Sequence, residues 1–343
     1  MIVDDSPIAR AVLSRMLAGH EDFEIVALAG NAAEAIDALK SVSVDIVLLD
    51  VEMPGTTGLE ALPEILRLGN GARVLIVSSL AEDGAEAAVK ALALGAADTL
   101  PKPGTGNFAG RFSAVLAERL RRIGRAERGG SGATDDPAKK LRLRAASPSR
   151  IGCVAIGAST GGLHAISEFL RALPAMIGAP LLVTQHLPAV FMPFFARQLQ
   201  LVSGRTVRVA VSGLALQPEE IVLAPGDAHL SLERKDGKVC VKLVEESARS
   251  GCMPSADVML SAVAEIYGKN AVGVMMSGMG RDGLAGSRTL IERGGAMLVQ
   301  DRQSSAVWGM PRAIAEAGLA CAVLPPADLA RRIGAHAAGE SWT

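Results

Sequence analysis

Aromatic residues are scarce in this chain: 3% of the sequence, with two Trp, one Tyr and seven Phe among 343 residues. Together with a formal net charge of -1, that leaves neither a stacking platform nor a basic footprint for nucleic acid, so nucleic-acid binding is not expected. Apolar residues are plentiful at 49%, yet no apolar run is long enough to cross a bilayer, so no membrane insertion is expected. No basic-then-apolar leader follows Met1, and the chain reads as soluble, unexported and cytoplasmic. The four cysteines, Cys153, Cys240, Cys252 and Cys321, show neither paired metal-ligand spacing nor a small-domain disulfide framework. They read as reduced, mostly buried thiols.

The length favours two domains. Composition changes between about Arg121 and Arg150, where Gly129-Gly130-Ser131-Gly132 and Asp135-Asp136-Pro137 precede Lys139, Lys140, Arg142 and Arg144. This reads as a flexible basic linker over 121–150, separating a domain at 1–120 from another at 151–338. Its basic residues serve a solvated tether or a contact strip for an acidic partner.

Upstream, the short apolar runs 1–3, 25–28, 44–49, 74–77 and one near Leu100 alternate with amphipathic segments, as buried parallel strands do. Ser6 caps the first helix with Pro7 in its first turn, and Ile8, Val12, Leu13, Met16 and Leu17 form its apolar stripe. A five-stranded parallel, flavodoxin-like α/β sheet is the economical fold. Such sheets bind ligands at the carboxyl ends of their strands, and there the acids gather: Asp4 and Asp5 after the first strand, Asp50 after the third. Crowded carboxylates repel one another unless a cation neutralises them, and oxygen donors suit Mg²⁺. Ser78 and Lys102, beyond the fourth and fifth strands, are placed to hold a phosphoryl group.

The order Asp-Asp, Asp, Ser, Lys-Pro, in MIVDDS, LLDVEMPGTTG, IVSS and LPKP, resembles the receiver domains of response regulators. That resemblance implies Asp50 as the phosphoacceptor and Mg²⁺ held by Asp4, Asp5, Asp50 and the backbone carbonyl of Glu52. It also implies Ser78 and Lys102 as phosphoryl-sensing residues and a histidine kinase as phosphodonor. Receivers usually carry more residues before the first acids than the three found here, which leaves two readings, a short central strand or an incomplete sequence.

Downstream a second α/β pattern begins, with strands over 151–157, 181–185 and 272–276, a helix over 162–173, and a hairpin whose arms, 230–232 and 239–241, flank Lys235-Asp236-Gly237. The fold class is thus α/β throughout, the second domain being doubly wound and mostly parallel. Gly157-Ala158-Ser159-Thr160-Gly161 fits the Gly-x-Ser-x-Gly spacing that projects a hydroxyl from a strand-to-helix turn, and the amides behind it, Thr160 first, can stabilise an oxyanion. Alone, the pentapeptide fits a phosphate loop or a helix cap equally well. His186 and Asp282 end two further strands at the same edge, and together the three supply a nucleophile, a base and an acid that orients the base.

A rival reading takes Gly278-x-Gly280-x-x-Gly283, with Asp301 after the next strand, as a dinucleotide-binding turn. Against it, Asp282 would repel a pyrophosphate. Another keeps the receiver but makes the second half a non-catalytic receptor-binding module.

AIGASTGG, TQHLP, IVLAPGDAHL, SGMGRDG and QDRQSSAVWGMP resemble the catalytic domain of the chemotaxis protein-glutamate methylesterase (CheB) family, over 151 to about 335. The resemblance implies Ser159 as nucleophile, His186 as general base and then acid, Asp282 as its partner, and the Met279 amide as oxyanion donor. The substrates it implies are methylated chemoreceptor cytoplasmic helices, with glutamine deamidation as a second activity and no cofactor for the esterase. A receiver covering the Ser159 crevice until Asp50 is phosphorylated is the expected regulation. Two loops depart from the family pattern: Gly251–Asp257 lacks the basic or His-bearing version expected before Pro-Ser-x-Asp, and Ala189-Val190 replaces Pro-Gly. Recognition, rather than bond cleavage, is expected to differ there.

Overall fold

A computed structural model of the chain describes residues 1–78, 82–102, 109–125, 141–145 and 149–341. It divides into two compact units, Met1–Asp135 and Asp136–Thr343. Among the described residues no helix is long and apolar enough to cross a membrane.

The first unit alternates strand and helix: β1 (Ile2–Val3), α1 (Pro7–Ala18), β2 (Leu28–Ala29), α2 (Ala32–Ser41), β3 (Ile46–Leu49), α3 (Gly58–Leu68), β4 (Arg73–Ser78), α4 (Glu82–Leu94), β5 (Asp98–Pro101) and α5 (Ala109–Arg125). All five strands pair parallel in the order β2-β1-β3-β4-β5. The strand order reverses between β1 and β3, which opens a crevice beyond their carboxyl ends. The expected strand over 25–28 is found at Leu28–Ala29, because β1 is two residues long and its register begins with Ile2 opposite Leu28. Upstream of Leu28 the pairing is reduced to the bond from the Ile2 amide to Ala27 O at 3.1 Å.

Ser6 caps α1, its hydroxyl accepting the Ala9 amide at 3.2 Å. The apolar stripe of that helix is narrower than its sequence suggests. Leu13 and Leu17 are buried with Leu116, Leu120 and Ile123 of α5, whereas Ile8 is 76% exposed and Val12 40%. The helix turns only its 13/17 row toward the sheet, so 8 and 12 face away from it. α5 continues to Arg125, past the compositional change read as the start of the linker, and Arg121 is tied to Asp22 at 2.6 and 2.9 Å. Residues 126–140 and 146–148 of that stretch lie outside the described residues, while the Arg144 amide bonds Ala320 O at 2.9 Å.

The second unit contains β6 (Cys153–Ala158), α6 (Gly162–Ala172), β7 (Leu181–Gln185), α7 (Met192–Ser203), β8 (Val207–Val209), β9 (Ile221–Leu223), β10 (His229–Lys235), β11 (Lys238–Val244), α8 (Ala256–Tyr267), β12 (Ala271–Met275), α9 (Leu284–Glu292), β13 (Ala296–Gln300), α10 (Met310–Glu316), β14 (Ala322–Leu324) and α11 (Pro326–Ala337). Seven strands pair parallel in the order β14-β13-β12-β6-β7-β9-β8. From β6 the chain first builds toward β7 and later returns to add β12 on the other side, so the switch point lies between β6 and β12. β10 and β11 form the expected antiparallel hairpin, with Asp236 and Gly237 at positive φ (50° and 74°), as a two-residue Asp-Gly turn requires. The inner face of the hairpin, Leu230, Leu232 and Val241, joins one buried cluster with Met259, Leu260 and Val263 of α8. Each such side chain contributes about 1.5–3 kcal/mol by leaving water.

One glycine in the first unit marks an unusually close approach. A Cβ on Gly58 would lie 1.9 Å from the backbone oxygen of Asp50, so α3 starts against the loop that carries that carboxylate. Gly58→Ala is expected to lower stability by about 1–3 kcal/mol through forced displacement of that loop. Thermal unfolding of the full chain measures it, and an unchanged transition contradicts the close packing.

Candidate active site

In the first unit Asp4 and Asp5 follow β1 and Asp50 follows β3, so the crevice at the switch point is lined by acid. One carboxylate oxygen from each lies within 4.8 Å of the others. Asp4 and Asp50 are buried, and Asp5 is exposed. Lys102 follows β5, its amide bonded to Ser78 O at 2.7 Å, and its ammonium reaches Asp50 Oδ2 at 2.6 Å and Asp4 Oδ2 at 3.1 Å. Burial raises the Asp50 pKa, and the Lys102 hydrogen bond and charge only partly offset this. Lys102 is itself held above its usual value because the carboxylates outweigh its own burial. Ser78 is buried at the end of β4, and the Glu52 amide points back to Asp50 Oδ1 at 3.3 Å. Three oxygen-donor carboxylates facing a single ammonium form the hard, anionic donor set that Mg²⁺ prefers.

In the second unit register brings the predicted residues together. Ala158 of β6 pairs with Gln185 of β7, and the next residue on each strand is Ser159 and His186. The His186 amide bonds Ala158 O at 3.2 Å. Gly157 pairs with Met275 of β12, the strand that leads to Asp282. Three neighbouring strand ends therefore deliver the serine, the histidine and the aspartate to one edge.

The Ser159 turn is fastened from both sides. Its amide donates to Ser277 O at 3.0 Å, and its carbonyl accepts from Gln185 Nε2 at 2.8 Å. Ser277 Oγ bonds Thr160 O at 2.8 Å. Gly278 lies flat against the serine, since a Cβ there would come within 2.8 Å of Ser159 Cβ. That packing puts the next residue, Met279, beside Ser159, and among the described residues the Met279 amide has no hydrogen-bond acceptor. It also explains the glycine at 278 without a pyrophosphate. Among the described residues the Ser159 hydroxyl makes no hydrogen bond, to His186 or elsewhere.

Asp282 is 3% exposed and accepts from four donors. They are His186 Nε2 (2.8 Å) and the Ala256 amide (2.6 Å) on Oδ2, and Ser255 Oγ (2.6 Å) and the Asp257 amide (3.4 Å) on Oδ1. Three of these come from the cap and first turn of α8, where unpaired amides and the helix dipole favour a negative charge. Burial would raise the Asp282 pKa, but the His186 hydrogen bond and charge, then Ser255 and Ala256, hold it well below the usual carboxylate range. Burial likewise pulls the imidazole down, yet the Asp282 hydrogen bond and then the Cys252 side chain bring His186 up to about 9. Around neutrality the imidazolium is paired with Asp282, and the neutral, proton-accepting form gains population as pH rises. Because Nε2 faces Asp282, the other ring nitrogen, Nδ1, is the one available to a substrate or to the serine.

Sequence reasoning gave Ser255, His229, Gln185 and Ser277 no role. His229 is fully buried, accepts the Ser255 amide on Nδ1 at 2.9 Å and donates from Nε2 to Glu246 O at 2.9 Å, so it fixes the loop before α8. The one local signal was Pro254-Ser255-x-Asp257, a helix-cap pattern; the hydrogen bonds to Asp282 span 25 or more residues and leave no trace in spacing.

The comparisons bear on this geometry directly. Residues 154–333 match the family model for CheB methylesterase, and residues 1–107 match that for the response regulator receiver domain. The chain is 36% identical to "Protein-glutamate methylesterase/protein-glutamine glutaminase 1" of Paramagnetospirillum magneticum, over 96% of this chain and 93% of the relative. It is 39% identical to the protein-glutamate methylesterase/protein-glutamine glutaminase of Bordetella parapertussis, over 97% and 95%. The chain belongs to the CheB methylesterase family. Its second unit is similar to the crystal structure of the Thermotoga maritima CheB methylesterase catalytic domain, with 34% identity and a TM-score of 0.52 over 54% of this chain and 98% of that one. Family membership supports the hydrolase reading and gives none to the dinucleotide turn at Gly278–Gly283, whose Asp282 is committed to His186 and α8.

Removing one donor from a buried carboxylate costs about 1–3 kcal/mol. Ser255→Ala is expected to destabilise the second unit by that amount, read as a lowered melting temperature; a melting curve that does not move contradicts the role given to the hydroxyl.

Proposed function

We propose that the chain is a phosphorylation-regulated protein-glutamate methylesterase acting in the cytoplasm on methylated chemoreceptor helices. The observation that carries this reading is the 2.8 Å pair between His186 Nε2 and Asp282, set at strand ends that also carry Ser159. Ser159 Oγ attacks the glutamate γ-carbonyl and passes its proton to His186 Nδ1. The methoxide then takes that proton and leaves as methanol. Water repeats the sequence on the acyl-enzyme and restores the serine. Asp282 keeps its charge and stabilises the imidazolium. The Met279 and Thr160 amides receive the oxyanion, where each good donor contributes about 2.7–4 kcal/mol. The Ser–His hydrogen bond closes on substrate binding, as catalytic hydrogen bonds commonly do. The same attack on a glutamine carboxamide releases ammonia, in keeping with the glutaminase named in the relatives.

In the receiver, Asp50 accepts the phosphoryl group from a histidine kinase. Asp4, Asp5, Asp50 and the Glu52 carbonyl would hold Mg²⁺, which when bound supplies the positive charge that lets an anionic donor approach three carboxylates. Lys102 exchanges its contact with Asp50 for a phosphoryl oxygen, and Ser78 bonds another. Phosphorylation then shifts the chain toward its active state.

Ser159→Ala is expected to lower methanol release from methylated receptor at least about a thousandfold with unchanged thermal unfolding. An unaltered rate removes Ser159 from the mechanism, and a wild-type chain that binds receptor but releases no methanol favours the binding-module reading instead. A small-molecule phosphodonor with Mg²⁺ is expected to raise the rate of the full chain several-fold and to leave Asp50→Asn unaffected. A response in Asp50→Asn overturns the regulatory assignment.

A further inference from the structure

Beside the pair that this mechanism uses sits a thiol it does not use. Cys252 lies in the irregular segment between β11 and α8, half-buried, and one donor atom each from His186, Cys252 and Asp282 all fall within 4.8 Å of one another. The remaining cysteines, Cys153, Cys240 and Cys321, are buried, and among the described residues none belongs to such a cluster. We propose that His186, Cys252 and Asp282 form a binding site for a zinc-class divalent cation that reversibly blocks the esterase.

The donor chemistry selects the ion. A thiolate, an imidazole and a carboxylate make a mixed sulfur, nitrogen and oxygen set typical of Zn²⁺, unlike the all-oxygen set of Asp4, Asp5 and Asp50. The two anionic ligands neutralise the charge of the cation. The polar support that metal ligands need is in place, because Ser255 Oγ and the Ala256 amide already orient Asp282 at 2.6 Å each. An opening to solvent exists too: the His186 side chain is 16% exposed and the neighbouring Met253 is exposed. Ligands of a tetrahedral zinc ion lie about 3.5 Å from one another, as bonds of about 2.0–2.3 Å dictate. The imidazole and carboxylate are already closer than this, so the thiol has the distance to close, and its segment contains neither helix nor strand.

At neutral pH binding releases two protons, that of the Cys252 thiol and one from the His186 imidazolium. His186 gives up the proton on Nε2 and keeps the one on Nδ1, and the Nε2 to Oδ2 hydrogen bond gives way to coordinate bonds from both atoms. Nδ1 then carries a proton and can no longer accept one from Ser159. This inhibitory consequence rests on His186 being the proton carrier of the proposed mechanism; the coordination does not.

Full-length protein in excess Mg²⁺, which occupies the carboxylate site, is titrated with Co²⁺ as a spectroscopic stand-in for zinc. One Co²⁺ per chain with a sulfur-to-cobalt charge-transfer band is expected, and added Zn²⁺ removes the band. Cys252→Ser is expected to lose the band and bind Zn²⁺ at least about tenfold more weakly. Zn²⁺ suppresses methanol release by the wild-type chain, a chelator restores it, and Cys252→Ser resists inhibition relative to its own metal-free rate. No band at tenfold excess Co²⁺, or an equal band in Cys252→Ser, overturns the proposal. Since the band is read without substrate, its failure alongside normal methanol release leaves the esterase assignment standing, and the reverse result leaves the metal site standing.

Discussion

A carboxylate that is 3% exposed has to be compensated where it stands, and Asp282 is the group around which the second unit is arranged. Stripping an anion of water costs several kcal/mol even after the protein relaxes. One hydrogen bond to a charged group returns about 1.5–3 kcal/mol, so a single partner leaves a deficit and several are needed. Asp282 has four, and they come from separate parts of the chain: His186 after β7, and Ser255, Ala256 and Asp257 at the start of α8. Satisfying one buried charge therefore fixes the ends of β7, β12 and α8 relative to one another, and the orientation of the imidazole follows from it. His229 extends the arrangement one step outward by holding the Ser255 amide.

Much of this was legible in the sequence, for reasons that differ between elements. Parallel strands buried on both faces read as unbroken apolar runs, so β6, β7 and β12 are visible, and with them the fact that Ser159, His186 and Asp282 share an edge. The hairpin is visible because an Asp-Gly turn tolerates the positive φ that tight reversals need. What failed was whatever depends on a neighbour distant in sequence. β2 is set by the register of a two-residue β1, which the run over 25–28 could not reveal. Ile8 and Val12 fit a helical stripe but face away from the sheet. The approach of Cys252 to His186 and Asp282 left no trace in spacing either, because those residues lie 66 and 30 positions away, whereas metal-site patterns are recognised at short spacing.

The two units apply one topological rule to opposite electrostatic ends. Each is an open parallel sheet whose strand order reverses, and each puts its chemistry in the crevice at the reversal. In the receiver that crevice is left electrostatically incomplete: three carboxylates face one lysine, and burial raises the Asp50 pKa by more than Lys102 offsets. Under the proposed function, a cation and a phosphoryl group complete it. In the hydrolytic unit the single carboxylate is fully compensated by protein donors, so it persists in its charged form and serves as a fixed electrostatic support for His186.

That contrast bears on which cation each crevice prefers. A hard ion gains most where carboxylate oxygens are unsatisfied and hydration can be retained, as at Asp4, Asp5 and Asp50. At Asp282 both oxygens already accept two hydrogen bonds, so a hard ion would have to displace good donors for little return. A borderline-soft ion draws its affinity from thiolate and imidazole instead, and needs only one of those hydrogen bonds, the one to His186, to be given up. The property that suits His186 to the proposed proton transfer, an imidazole held in place beside a permanent anion, thus also suits it to the proposed metal site, where a thiol stands next to it.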